Sequence, residues 1–310
     1  MLLAILLLVA GALLLFVGAE AAIRGAGALA NAAGIPLFAI GALLFGIDFE
    51  GLGTAVAAAG RGETAVAGGS IFGTVAFLFS AAFGAGLLLA RRPVPSPSPE
   101  HVLLPAAGLV TAAIACRDLF VTRLEGAMLI GLYAVYVAFV VYDRRLAAPK
   151  LAEIEHEAER GPPDRLRALG LTLAGLGVVA LGAAGVVEGG VRILSLTTLA
   201  PGFVGAGVIG VLASLDEVLL SVLPIRRGQD ELATGNLFGT LAAFSTGVLG
   251  ITALVRPLVL DGAAGSALIY AACLYGAVAG VFLWRGQAGR ILGAAALVSY
   301  AVWLALTAGI

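Results

Sequence analysis

Ten apolar segments dominate this chain of 310 residues, running roughly 2–22, 34–59, 65–90, 102–116, 124–142, 168–190, 198–225, 232–255, 263–284 and 289–308. About 20 apolar residues in helical form cross the hydrocarbon core of a bilayer. A water-soluble fold of this size could not hide such runs, because its surface-to-volume ratio leaves too much exposed. The chain is 61% hydrophobic and only 12% charged, where a soluble domain carries about a quarter charged residues. A soluble enzyme, a disordered chain and a nucleic-acid binder are excluded on these grounds. The runs are long and do not alternate, so helices fit and a barrel does not. The expected fold is an all-α polytopic membrane protein with the lipid bilayer as its first partner.

The few charges orient it. The start, MLLAILLLVAGALLLFVGAE, has no basic leader and no clear cleavage site, and reads as a first spanning helix rather than a signal peptide. With the N-terminus outside, cytoplasmic positions hold 13 Lys and Arg and outer positions 5. The positive-inside rule then favours both termini outside, in the cytoplasmic membrane. Six of the 13 lie in one polar insertion, 144–167, which the reading makes a cytoplasmic linker with a short surface helix ending at Gly161-Pro162-Pro163. The loop Arg91–His101 is proline-rich and expected to be extended. Cys116 and Cys273 stand in separate apolar stretches and read as small packing residues. His101 and His156 both fall in polar loops, so a site built on His and Cys has too few ligands. No bound cofactor is expected, and a monomer is the expected state.

A repeat organises the chain. Residues 61–74 read RGETAVAGGSIFGT and residues 227–240 read RGQDELATGNLFGT, with seven of fourteen positions identical at an offset of 166. Chance in this composition would give roughly one or two. The same offset carries Gly41 onto Gly207, Asp48 onto Ser214 and Glu50 onto Asp216. The chain therefore divides into a first five-helix repeat, 1–143, and a second, 168–310, with motif regions at about 41–78 and 207–244. Five is odd, so the second half enters the membrane with opposite polarity. Inverted repeats are a transporter signature, with the substrate held near mid-membrane between the halves.

The intramembrane acids mark that position. Asp48 and Glu50 lie in the second span, and Asp216 and Glu217 in the seventh. A carboxylate at a helix centre costs about 2.5–3.5 kcal/mol to insert on the lenient scale. No Lys or Arg in these segments neutralises them. Four such groups near one midplane repel unless they are protonated or bind cations, and a hard divalent cation with oxygen ligands resolves both problems. Further oxygens come from Ser214, Ser70, Thr74, Asn236 and Thr240; a Ser or Thr alone is as readily a helix back-bond. Glu20 and Glu188 stand at similar places in spans one and six. They either line vestibules or simply pair with Arg24 and Arg192, four residues on. Glu125, Asp143, Asp118, Asp230 and Glu231 sit at span ends and read as solvated.

These residues resemble the calcium/cation antiporter superfamily, of sodium/calcium exchanger type. The resemblance covers the whole chain and is most specific in the paired alpha repeats. The family carries G-T-S-x-P-E on the second and seventh spans and G-N-x-x-G-S on the third and eighth. Gly235-Asn236-Leu237-Phe238-Gly239-Thr240 matches the second motif, and Gly69-Ser70-Ile71-Phe72-Gly73-Thr74 is its weaker copy. Glu217 falls where the family's ion-binding Glu belongs, Ser214 on a motif hydroxyl and Asp216 on the motif proline. The Gly-Ala-Glu at 18–20 resembles a feature of the family's first span. The sequence also departs from the pattern: Gly51 stands at the gapless Glu position with Glu50 beside it, and Asp48 replaces a hydroxyl. Leu78 and Phe244 stand where the family has an ion-binding Asn or Asp.

The resemblance implies ten helices in two inverted repeats and secondary active antiport. The cargo would be Ca²⁺ or a similar divalent cation against Na⁺ or H⁺, with spans one and six sliding or tilting across the rest. Glu217 and Glu50 would be central ligands, Asp48 and Asp216 would tune charge, and Ser214, Thr74 and Thr240 would add oxygens. Two other classes stay open: a membrane-embedded metal-dependent enzyme, which would need basic or nucleophilic groups near the acids, and a non-transporting scaffold or sensor that keeps the fold.

Overall fold

A computed structural model describes residues 2–143, 165–194 and 214–308. The expected surface helix before Gly161, the linker up to 164 and the start of the seventh span, 198–213, lie outside the described residues. Eight helices among the described residues are long and apolar enough to cross a membrane, and Pro99–Ala115 is a shorter apolar one. In chain order the helices are α1 (Leu2–Ala33), α2 (Leu37–Ile40), α3 (Phe49–Arg61), α4 (Thr64–Phe77), α5 (Phe83–Leu89), α6 (Pro99–Ala115), α7 (Arg123–Tyr142), α8 (Arg165–Leu194), α9 (Leu215–Arg226), α10 (Asp230–Ala242), α11 (Leu249–Val255), α12 (Gly262–Arg285) and α13 (Arg290–Ala308).

The second span differs from its expected form. The apolar run 34–59 is not one helix: α2 passes through a π-helical turn, Gly41–Phe45, and the chain breaks at Gly46–Asp48 before α3 starts. Asp48 causes the restart. Its side chain accepts hydrogen bonds from the backbone N–H of Glu50 and of Gly51, at 2.9 and 3.0 Å, and so caps α3. Hydropathy does not register this break because the residues flanking it are all apolar. The first span is also longer than expected, continuing past Glu20 and Arg24 to Ala33.

The inverted repeat is visible in local geometry. Gly62 and Gly228, 166 apart, both have positive φ, +89° and +74°, so each turn into the next helix needs glycine. Glu63 and Gln229, at matching helix starts, have φ/ψ of −84°/57° and −88°/52°. Both third-span and eighth-span helices pass through a π turn at the same place, Leu78–Ala82 and Ala243–Val248. There Ser80 Oγ donates to the Ala76 carbonyl and Thr246 Oγ1 to that of Ala242.

Two antiparallel ladders obey the same symmetry. β1 (Val94–Pro95) pairs with β4 (Gln287–Ala288), and β2 (Phe120–Val121) with β3 (Leu258–Val259). Each ladder ties a loop of one half to a loop of the other. Of the loop Arg91–His101, expected to be extended, Val94–Pro95 form β1, but α6 begins at Pro99, and His101 is a correction: it lies inside α6 and is fully buried. Its Nε2 is 3.1 Å from Asp143 Oδ2, and its ring packs between Phe38 and Phe139. Asp143 is thus not solvated, nor is Asp230, which is buried and ion-paired with Arg92 at 2.9 Å. In both cases the helix end folds against a neighbouring loop or helix. Glu125 closes a capping box with Thr122. Cys116 is buried as expected, whereas Cys273 is exposed on α12.

α1 and α8 pack antiparallel along their lengths through glycines spaced by seven. A Cβ on Gly11, Gly18 or Gly25 would stand 2.5–2.7 Å from the backbone nitrogen of Val186, Val179 or Thr172, and one on Gly175, Gly182 or Gly189 would meet α1 as closely. Small residues at this spacing let two backbones touch in lipid, where packing drives association. A larger core lies elsewhere, around α4, α6, α7, α10 and α12. It includes the edge-to-face pairs Phe79–Phe238 and Phe79–Tyr275, with centroids 6.1 and 5.6 Å apart.

Candidate functional site

The break in the second span puts Asp48 and Glu50 at the start of a half-helix inside the membrane-spanning bundle. The repeat-related helix, α9, follows Ser214, which occupies the N-cap position that Asp48 occupies on α3. Asp216 and Glu217 then fall in its first turn. The N-terminal end of a helix carries partial positive charge, which favours carboxylates there without cancelling their mutual repulsion. All four acids feel one another: Asp48 and Glu50 lie within electrostatic reach of both Asp216 and Glu217.

Their surroundings differ. Glu50 is exposed, whereas Asp48, Asp216 and Glu217 are half-buried. Asp48 spends one carboxylate oxygen on its cap. Asp216 Oδ1 and Glu217 Oε2 are inaccessible and, among the described residues, have no hydrogen-bond partner. A buried acceptor with nothing to accept from is costly, by about 1–3 kcal/mol and more when charged. Such oxygens are suited to a proton or a cation. Among the described residues, no three His, Cys, Asp or Glu side chains converge closely enough to hold a metal ion. The acids are neighbours in field, not a closed cage.

The remaining candidates fall on two helices. Asn236 and Thr240 are buried on α10, against the broken span. A Cβ on Gly41 would stand 2.9 Å from Asn236 N, and one on Gly46 would stand 2.8 Å from Thr240 N, so the break lies directly on this face. Ser70 and Thr74 are half-buried on α4, and no hydrogen bond among the described residues joins them to the acids.

The departures from the repeat have a common geometry. Gly51 is the repeat mate of Glu217, and Phe244 that of Leu78. A Cβ placed on Gly51 would stand 2.7 Å from Phe244 Cζ and 2.3 Å from Asp48 Oδ2. Phe244 is fully buried in the π turn after α10. The space where a side chain at 51 would begin is therefore filled by an aromatic ring, and the site is asymmetric between the halves.

Three contributions were not legible in the sequence. Tyr300, midway along the last span, lies within electrostatic reach of Glu217. It belongs to an aromatic group in which Tyr270 stacks on Trp303 at 5.0 Å and hydrogen-bonds Ser299 at 2.9 Å. Phe244 stands out in the sequence as an apolar residue at an ion-binding position of the family, but nothing there shows its contact with position 51. Arg227 reads as a loop charge, yet its Nη2 is 2.7 Å from Glu20 Oε1, which also pairs with Arg24. Glu188 makes its expected pair with Arg192, at 2.6 Å. The signal for Tyr300 was a polar ring in mid-span; the contacts of the other two appear only on folding.

The family model for "Sodium/calcium exchanger protein" matches residues 3–142 and 167–309. The "Putative antiporter CaxA" of Alkalimonas amylolytica is 31% identical over 149 residues, 47% of either chain. The "Inner membrane protein YrbG" of Escherichia coli (strain K12) is 25% identical over 208 residues, 64% of this chain and 62% of that protein. The chain thus aligns with about half to three-fifths of these relatives' length. Among solved structures, the sodium-calcium exchanger NCX_Mj soaked with 10 mM Na⁺ and 10 mM Sr²⁺ superposes with a TM-score of 0.82 at 20% identity, covering 99% of this chain and 98% of that one. The same exchanger in 10 mM Na⁺ and zero Ca²⁺ gives 0.82 at 21% identity. The fold is therefore the all-α polytopic, ten-helix inverted-repeat architecture of that exchanger, and the chain is a member of the sodium/calcium exchanger protein family.

Proposed function

We propose that the chain is a secondary active cation antiporter. It exchanges Ca²⁺ or a similar divalent cation for Na⁺ or H⁺ by alternating access at the carboxylates of the second and seventh spans. The observation that carries this reading is the pair of inaccessible oxygens on Asp216 and Glu217, unpartnered among the described residues and within electrostatic reach of Asp48 and Glu50. Four acids with no internal base demand a mobile counter-charge, and either a divalent cation or protons supply it. Exchange between those two occupancies is antiport.

In this reading Glu217 and Glu50 are the central ligands, and Asp216 supplies charge. Asp48 serves both as helix cap and as ligand through its second oxygen. Ser214, Ser70, Thr74, Asn236 and Thr240 contribute oxygens as the site closes around the ion. The protein sits in the cytoplasmic membrane with both termini outside, and 144–167 is a cytoplasmic linker between two five-helix halves. The ions are cargo rather than resident cofactors. The test is calcium uptake into proteoliposomes driven by an imposed Na⁺ or H⁺ gradient. Uptake that follows one gradient and disappears in Glu217→Gln is expected; uptake that ignores both gradients, or survives in Glu217→Gln and Glu50→Gln alike, overturns the assignment.

A further inference from the structure

At one end of the bundle, the last turn of α5, the last turn of α12 and the first turn of α13 surround a groove of about 550 Å³. Its rim is basic: Arg91, Arg92, Arg285 and Arg290 all line it, and no acidic side chain does. Its floor is apolar, with Leu87, Trp284 and Ile291 among the lining side chains. Trp284 is 82% and Ile291 85% exposed, an unusual price for apolar side chains unless lipid covers them.

The arginines are not equivalent. Arg92 is neutralised by Asp230, 2.9 Å away. Arg290 is held in place by the Ala90 carbonyl, which accepts from its Nε and Nη2 at 3.3 and 3.0 Å. Arg285 lies over the Trp284 indole with 5.5 Å to the ring centroid. Arg91, Arg285 and Arg290 have no carboxylate partner among the described residues. The loops that carry them are locked together by the β1–β4 ladder, Val94 opposite Ala288 and Pro95 opposite Gln287. The result is three uncompensated guanidinium groups on a fixed backbone, above an apolar floor, where three spanning helices end. Tryptophan and arginine at that level belong to the membrane–water interface. Guanidinium binds phosphate oxygens in paired hydrogen bonds.

We infer that this groove is a binding site for an anionic glycerophospholipid. The headgroup phosphate sits between Arg91, Arg285 and Arg290, and an acyl chain lies along Leu87, Trp284 and Ile291. A free inorganic anion would satisfy the arginines and leave the apolar floor uncovered, which is why the lipid is the occupant assigned. The site lies in the two ladder loops, apart from the acids of the second and seventh spans.

Fluorescence quenching in vesicles tests this without relying on transport. A Trp303→Phe background leaves Trp284 as the single tryptophan. In mixed bilayers, brominated phosphatidylglycerol should quench Trp284 more strongly than equally brominated phosphatidylcholine. Each arginine removed should reduce the preference about fivefold, and the triple Arg91→Gln, Arg285→Gln, Arg290→Gln chain should quench equally with both. If the triple variant does not fold, the exposed single variants Arg91→Gln and Arg285→Gln carry the same comparison. Equal quenching in the starting protein, a preference that survives the arginine variants, or loss of the preference on adding inorganic phosphate would each overturn the inference.

Discussion

Glu20 Oε1 stands 2.7 Å from Arg227 Nη2, so α1 is ion-paired to the turn between α9 and α10. At the similar places in the other half, Glu188 pairs with Arg192, and Arg61 has no ion pair among the described residues. One side of the molecule is fastened and its symmetry mate is not. In a chain of two inverted halves, alternating access predicts that this contact breaks and its counterpart forms in the opposite state.

Joining the fastened pair covalently should therefore stop turnover. In a Glu20→Cys/Arg227→Cys chain, a bifunctional methanethiosulfonate linker long enough to replace the Glu–Arg pair is expected to reduce gradient-driven calcium uptake to background, and its removal by a reductant to restore it. Cysteines placed at 188 and 61 should cross-link poorly until a gradient or an ion shifts the population. Equal cross-linking of both pairs in every condition would remove the link between these contacts and access.

The acids should not contribute equally. Glu217 has an inaccessible oxygen and Glu50 is exposed. Replacing a charged ligand costs about 1.5–3 kcal/mol per hydrogen-bonded or ligating contact. Glu217→Gln should therefore weaken cation binding by about ten- to a hundredfold, and Glu50→Gln by less. Calcium-dependent thermal shifts on both variants check the order; a larger effect at Glu50 would reverse it.

The asymmetry at Gly51 predicts a rescue. Gly51→Glu alone places its Cβ against Phe244 and Asp48 and should lower the melting temperature. Phe244→Leu copies the repeat mate Leu78 and frees the space. The double variant should recover the part of the stability lost to the ring, the contact with Asp48 Oδ2 remaining, and bind cations more tightly than Phe244→Leu alone, because it gains a carboxylate matching Glu217. Non-rescue, read by melting and by calcium titration, would mean that the ring does not block this position.

The seam between α1 and α8 should tolerate no side chain. Gly18→Val sets a Cβ 2.7 Å from the Val179 backbone, and overpacking of this kind costs about 1–3 kcal/mol. Gly177→Ala, on the same pair of helices with nothing within 4 Å of its added atom, should be nearly neutral. Thermal unfolding in detergent separates the two.

Much of this was legible because charge in lipid is costly and therefore sparse. Asp48, Glu50, Asp216 and Glu217 stood out against apolar runs, and the fourteen-residue repeat exposed the inverted halves. The break at Gly46–Asp48 was hidden because it interrupts backbone hydrogen bonding while leaving hydropathy intact. His101, Asp143 and Asp230 read as solvent-facing because each sits where a span ends; whether an end meets water or another loop is decided by tertiary packing. Phe244 opposite Gly51 could not be read from either residue alone, since the fit exists only across two helices.

The two short ladders carry a consequence for motion. Each joins the halves by backbone hydrogen bonds, one at each face of the bundle. Side-chain substitutions other than proline do not remove such bonds, and the two ladders oppose separation of the halves at these loops. That part of the protein behaves as a chassis stapled at both rims. α1 and α8 carry neither staple and are bound chiefly to each other. Sliding of the glycine-lined α1–α8 pair past this chassis is the motion the packing predicts, and only a proline that removes a ladder N–H should loosen the chassis itself.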